Sequence, residues 1–526
     1  MKKIIAWLML GAMPVLADEV IYLDQGWDHK TRQQLSFTSF GSRLVPYDWF
    51  LVLEQADNTN LFRDDANLNA LGFITTSANE YNPDGLPVGL VRDVDSKQGD
   101  YIGLTCAACH TGQVSVAGKR IRIDGGQALI DFTQFEQQLL ASLKATLADN
   151  EKFARFLSRL PVKEREPLAD QLQTRITELE KHYAVNATEV PYGRGRLDAF
   201  GQIFNAIAVE ALAMPENIRV PNAPTSYPVL WDASHLNIVQ WNASAPNKGP
   251  GPLFQNAITA LAVYGTVNVH SDKTTYQSSI RISNLGDIQR DFYKLVAPKW
   301  PAEFAGELDQ EKVAAGKKLY DQHCLECHTL VDPSDKKRKL QAVLTPYKEV
   351  GTDPLMVENF INNKVSSGML EGKKSMVFFG DKLPAETSPL DLVTYTATAA
   401  LFNQPWQSIK ALFKSYASNE AAPEQAVFDS YKARPINGVW ASSPYLHNGS
   451  VPTIYDLLLP VAERPASFYV GNIELDAVKV GYQSHEGPNT SLFDTSLPGN
   501  SNAGHEYGTR LSDEERWALV EYVKSL

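Results

Sequence analysis

The chain has four cysteines, and each stands in a C-x-x-C-H pentapeptide. Cys106 and Cys109 lie in CAACH, ending at His110; Cys324 and Cys327 lie in CLECH, ending at His328. Two thiols three positions apart on one helical turn reach the two vinyl groups of one porphyrin, and the adjoining imidazole then lies beneath the iron. The spacing therefore predicts two covalently bound haem c groups, held by Cys106, Cys109, Cys324 and Cys327, with His110 and His328 as proximal iron ligands. A four-cysteine zinc site would have to unite pairs 218 positions apart (324 − 106), whereas the pairs of a zinc site normally sit close in sequence. A redox-active dithiol does not require the following histidine.

A sixth ligand must come from histidine or methionine. His505 lies in a polar loop rich in Asn and Gly, where no helix needs it, and is the predicted distal ligand of the second haem. His447, in YLHNGS, competes for that position or bonds a propionate or the backbone. Met369 and Met376 fall 41 and 48 residues after His328 (369 − 328 and 376 − 328), a spacing seen in single-domain cytochromes c. A bis-His haem should have a lower potential than a His/Met haem.

Elements must position these groups. In residues 309–328 a helix runs into CLECH, with Val313, Ala314, Leu319 and Tyr320 assigned to its inner face and Gly316 permitting close approach of a second helix. The final residues, LSDEERWALVEYVKSL, carry a capping box at Ser512 and Glu515 and an apolar stripe at Leu519, Val523 and Leu526. This pair of helices resembles the cytochrome c fold. Residues 111–127 alternate like a hairpin. Helical runs follow near 130–160 and 165–183, the second with a solvated, charged face. Prolines then punctuate 221–252. The fold class expected is mainly α: two cytochrome c-like haem domains, 18–300 and 301–526, with long irregular insertions and minor β.

The balance of 49 basic and 61 acidic residues, −12 overall, excludes a general nucleic-acid binder, and 44% hydrophobic residues exclude wholesale disorder. Lys2 and Lys3 precede 13 apolar residues (4–16) and a small-residue cleavage pattern at Val15 and Ala17. These read as a signal peptide cleaved after Ala17, hence a periplasmic or secreted protein. No later stretch is long and apolar enough to span a bilayer.

Two haem motifs at this separation resemble the bacterial di-haem cytochrome c peroxidase superfamily. NAPTSYPVLWD at 222–232 and SSPYLHNGSVPTIYDLL at 442–458 are similar to its segments. GSRLVPYDWF at 41–50 and FDTSLPGNSNAGHEYGT at 493–509 look most like the rubber-oxygenase (RoxA-like) branch. The resemblance implies a reactive haem on His110 and an electron-relaying haem on His328. It also implies a tryptophan coupling them, Trp241, with Trp231 as runner-up. Asn242, Ala243 and Ser244 replace the Asp-Gly-Arg that commonly follows this tryptophan. Related peroxidases place a glutamate some twenty residues after it, to move a proton across peroxide; from 242 to 271 this chain has no Asp or Glu. Phe254, Leu261, Val263 and Tyr264 make that segment apolar, with Gln255 and Asn256 its nearest polar groups. Such a pocket suits O₂ or an apolar organic substrate. The function implied is a haem-dependent oxidoreductase of oxygenase type. A peroxidase using H₂O₂ and a non-enzymatic electron carrier are the alternatives, and a small redox protein or a quinol-linked system is the implied electron partner.

Overall fold

The computed structural model describes residues 20–161, 167–270, 272–415 and 427–526. The signal-peptide segment, residues 1–17, lies outside them, as does the start of the helical run near 165.

In the first half, β1 (Val20–Tyr22) pairs in parallel with β6 (Lys119–Asp124), which pairs antiparallel with β5 (Thr111–Val116). The hairpin expected at 111–127 is thus present and gains a third strand. A second sheet joins β2 (Val45–Pro46), β3 (Leu90–Asp93) and β4 (Tyr101–Leu104), with β4 central. The CAACH turn connects β4 to β5, so both its flanks are anchored in sheets. Three helices follow: α1 (Phe132–Ala148), α2 (Asn150–Arg159) and α3 (Leu168–Val185). The run read as continuous over 130–160 breaks at Asp149, whose carboxylate caps the N–H groups of Glu151 and Lys152 and so starts a new helix. α3 buries Leu168, Leu172, Ile176 and Leu179 on one face. Between 196 and 246 the strands are only two residues long, and a helix at Ala199–Asn205 continues as a π-helical turn over Ala206–Ala211. Beyond them lie α4 (Gly251–Ala262) and α5 (Ile282–Phe292).

In the second half, α6 (Gln310–His323) runs into CLECH, and α9 (Asp513–Ser525) closes the chain. Between them lie β7 (Val343–Pro346), the hairpin of β8 (Lys374–Met376) and β9 (Phe379–Lys382), α7 (Pro389–Asn403), α8 (Pro405–Ser415) and β10 (Ser430–Ala433), which pairs antiparallel with β7. α6 and α9 cross at Gly316, where a Cβ would stand 2.0 Å from the Ala518 carbonyl oxygen. The inner face of α6 is Val313, Gly316, Leu319 and Tyr320, while Ala314 is exposed. Ala314 sits one residue outside the i, i+3 row that faces α9. The capping box at Ser512 and Glu515 is formed, and Leu519 and Val523 are buried.

The cores ignore residue 300. One joins Val114, Ile121 and Trp231 to Tyr320, Trp440 and Leu519. Another joins Ile203, Leu253 and Leu261 to Leu392, Tyr395 and Ala399.

Candidate functional site

At CLECH the backbone folds back on itself, His328 N–H donating to Cys324 O at 2.8 Å, while the Tyr320 hydroxyl donates to His328 O. His328 Nδ1 lies 2.7 Å from Arg434 O. A carbonyl only accepts, so Nδ1 carries the proton and Nε2 keeps its lone pair for a metal.

His505 faces it across a gap. Its loop is held by the Arg464 guanidinium, which donates to Asn502 O and Gly504 O at 2.6 and 2.8 Å. Gly504 has φ +72°, and a Cβ there would stand 2.3 Å from the Gly351 carbonyl carbon, so only glycine fits. The ring centres of His328 and His505 are 6.2 Å apart with 50° between their planes. A metal–imidazole bond of about 2.0 Å plus about 1.1 Å from nitrogen to ring centre, taken twice, gives about 6.2 Å for two rings flanking one metal. His505 Nδ1 is buried without a hydrogen-bond partner. Burial, reinforced by His328 and Arg464, pushes the His505 imidazole down to about 3, so it is neutral and able to ligate.

A cavity of about 260 Å³, far above the water-sized voids of a packed interior, is lined by Cys324, Cys327, His328, His505, Trp241 and Lys432 among others. Burial, then the neighbouring Arg434, pushes the Lys432 ammonium down to about 7. Lys432 makes no ion pair among the described residues, and Arg434 donates only to backbone carbonyls. Lys432 and Arg434, two half-buried basic side chains lining one apolar cavity, suit an anionic guest. Met369 and Met376 stand 41% and 40% exposed and take no part in the cavity wall. His447 is in the wall, but its ring stacks on Tyr431 at 4.2 Å and its Nε2 meets the Tyr431 hydroxyl at 3.1 Å.

At CAACH, Thr105 caps the turn by accepting from Ala107 N–H. His110 Nδ1 lies 2.8 Å from Pro228 O, the same arrangement as at His328. Burial pushes His110 down to about 4, and pushes the Cys106 and Cys109 thiols up to about 11 and 12. Cys106 packs against the core that holds Leu253, Ala257 and Leu261 of α4, and Cys109 against that of α1. Among the described residues no second histidine ring faces His110 as His505 faces His328.

One strap links the motifs. Pro228 O takes His110; the Arg434 guanidinium donates to Val229 O and Trp231 O at 2.8 and 2.7 Å; and Arg434 O takes His328. Trp231, 1% exposed, lies on this strap, its indole donating to Asn437 O. Trp241 is half-buried, donates to Ser226 O at 3.1 Å, and lines the second cavity.

An acid from α1 meets the end of the 242–271 segment. The Tyr264 hydroxyl, at the end of the α4 segment with φ 57°, donates to Glu136 Oε1. Burial pushes Glu136 up to about 7. The His182 ring lies tilted against Tyr264, 5.1 Å between centres, and bonds Glu210 through Nδ1 at 2.8 Å, leading towards solvent. Asn256 is engaged by Gln289 and Gln255 by Pro246 O. Glu136, Lys432 and Arg434 are among the residues sequence reasoning missed. The signal for Glu136 was present: an acid among Phe132, Phe135, Leu139 and Leu143 on the buried face of α1. Arg434 carried none.

A family model described as RoxA-like, cytochrome c-like matches residues 430–469, which supply Lys432, Arg434 and His447 to the second cavity. Over 578 aligned residues the chain is 31% identical to the uncharacterized protein y4iJ of Sinorhizobium fredii, covering 97% of this chain and 94% of that protein. It is 22% identical over 355 residues to the uncharacterized protein y4iM of the same organism, covering 65% and 71%. The cytochrome c-like domain implies haem c, and the paired thiols, flanking imidazoles and basic side chains of the second cavity fit that group.

Proposed function

Since the chain belongs to the family of the Sinorhizobium fredii protein y4iJ, we propose that it is an exported di-haem c-type oxidoreductase of the rubber-oxygenase-like branch, within the di-haem cytochrome c peroxidase superfamily. The observation that carries this reading is an asymmetry. His328 has an imidazole across from it at a metal-spanning distance, and His110 has none among the described residues.

When bound, the two haems would supply an iron open to O₂ or peroxide at His110 and a six-coordinate electron store at His328. The protein's own groups do the rest. Cys106, Cys109, Cys324 and Cys327 hold the cofactors covalently. Pro228 O and Arg434 O fix both proximal rings in the tautomer that leaves Nε2 free. Lys432 and Arg434 match carboxylates inside the second cavity. Leu253, Ala257 and Leu261 exclude water on the Cys106 side and suit an apolar substrate. Trp231, on the direct strap, and Trp241, in the wall of the second cavity, are the tryptophans that would couple the haems. Electrons would pass to or from a small redox protein or a quinol-linked system, and residues 1–17 would direct export to the periplasm.

A peroxidase is the second reading, and Glu136 favours it. A carboxyl near neutrality, bonded to Tyr264, holds and gives up a proton of the kind peroxide cleavage consumes. Denaturing the mature protein in acid and acetone and weighing it intact should find two porphyrins retained by the polypeptide; free porphyrin would defeat both readings. Oxygen uptake with a polyisoprenoid then selects the oxygenase, and oxidation of a reduced cytochrome by peroxide selects the peroxidase.

A further inference from the structure

Helix α8 carries apolar residues on both sides. Inward, Ala411, 1% exposed, seats against Gly286 of α5, where a Cβ would stand 2.8 Å from the Ala411 Cα, and Leu412 is half-buried beside it. Its solvent side carries Trp406, Ile409 and Phe413 at i, i+3 and i+7, exposed by 76%, 42% and 87%. A surface helix ordinarily turns such a stripe inward. The β8–β9 hairpin adds Phe378 and Phe379, 47% and 66% exposed. Phe378 stands 5.3 Å from Phe402 in the last turn of α7, just before α8 begins, so hairpin and helix form one aromatic ledge. None of these residues lines the cavity at His328.

The charges identify the occupant. In a chain with 61 acids and 49 bases, α8 holds no acid; its Lys414 is paired with Asp287 of α5 at 3.1 Å, its Lys410 is exposed, and Lys373, Lys374 and Lys382 outnumber Glu371 and Asp381 around the hairpin tip. Lys410 lies on the exposed face, between Ile409 and Phe413 in sequence. The dry centre of a protein–protein interface is depleted in lysine, because its ammonium would lose water without a partner. At a bilayer surface the same mixture is favourable. Trp and Phe enter the headgroup–acyl boundary, and lysine lays its alkyl stem along them while its ammonium reaches anionic phosphates. No helix among the described residues is long and apolar enough to cross a membrane, so contact would be with one leaflet.

We infer that the α8 face and the β8–β9 tip form a docking surface for an anionic lipid bilayer. The inference does not depend on the proposed oxidoreductase activity.

Sedimentation of the mature haem-loaded protein with phosphatidylcholine vesicles, with and without phosphatidylglycerol, tests it. The protein should pellet with the anionic vesicles, less so at high salt. The double variant W406E/F413E should weaken that binding about tenfold or more and leave the visible spectrum unchanged, since both side chains point to solvent. K410E should weaken it less. Three results would overturn the inference: no binding to anionic vesicles, equal binding by the double variant, or a dimer of the unaltered protein that W406E/F413E dissociates, which would assign the face to a second copy.

Discussion

A carboxyl buried against a phenol is a thermodynamic marker as well as a proton store. The ordinary Glu value is 4.5, and burial raises Glu136 to about 7. Between those values the folded chain binds more protons than the unfolded chain. The stability from this group is therefore fully present below pH 4.5 and is lost as pH rises through 7. Replacing Glu136 with Gln should remove this slope: the gap between the denaturation midpoints of E136Q and the parent should shift in favour of E136Q from pH 5 to 8. The total is on the order of 3 kcal/mol at most, reduced by His182 close by. Parallel midpoints across that range would mean Glu136 is already ionised. Among single residues, the two C-x-x-C-H motifs were legible because covalent haem attachment would require that fixed local spacing. Glu136 was not legible as a neighbour of Tyr264, because 128 residues separate them and only the fold brings them together.

At the scale of elements, the α6–α9 crossing positions CLECH. The Gly316 Cα lies so close to Ala518 that any side chain must push the helices apart. Gly316→Ala should lower thermal stability by about 1–3 kcal/mol, the usual cost of overpacking. Differential scanning calorimetry checks it, and an unchanged midpoint would show that the crossing yields freely. Both helices could be read from the sequence, since apolar periodicity and the Ser512–Glu515 box are local signals. Ala314 was misassigned because a small apolar residue beside a 3.6-period row fits either face. The break at Asp149 was hidden because Asp149 and Asn150 are a brief interruption between good helix formers, and only the capping bonds reveal a new start. The two-residue strands between 196 and 246 are too short to show any period.

At the scale of the whole molecule, two motifs more than two hundred residues apart are tied through one strap, from Pro228 and Trp231 to Arg434, inside cores that draw on both halves of the chain. That arrangement was beyond the sequence, because the carbonyls that hold the motif histidines lie 118 and 106 residues away from them. The central claim is a division of labour, one iron open and the other closed by His505. Titration of the dithionite-reduced protein with carbon monoxide tests it most directly. One CO should bind per two haems in the parent protein and two per two haems in His505→Ala, with only the second haem's bands altered by the substitution. No uptake in the parent, or two CO bound with His505 intact, would contradict the account.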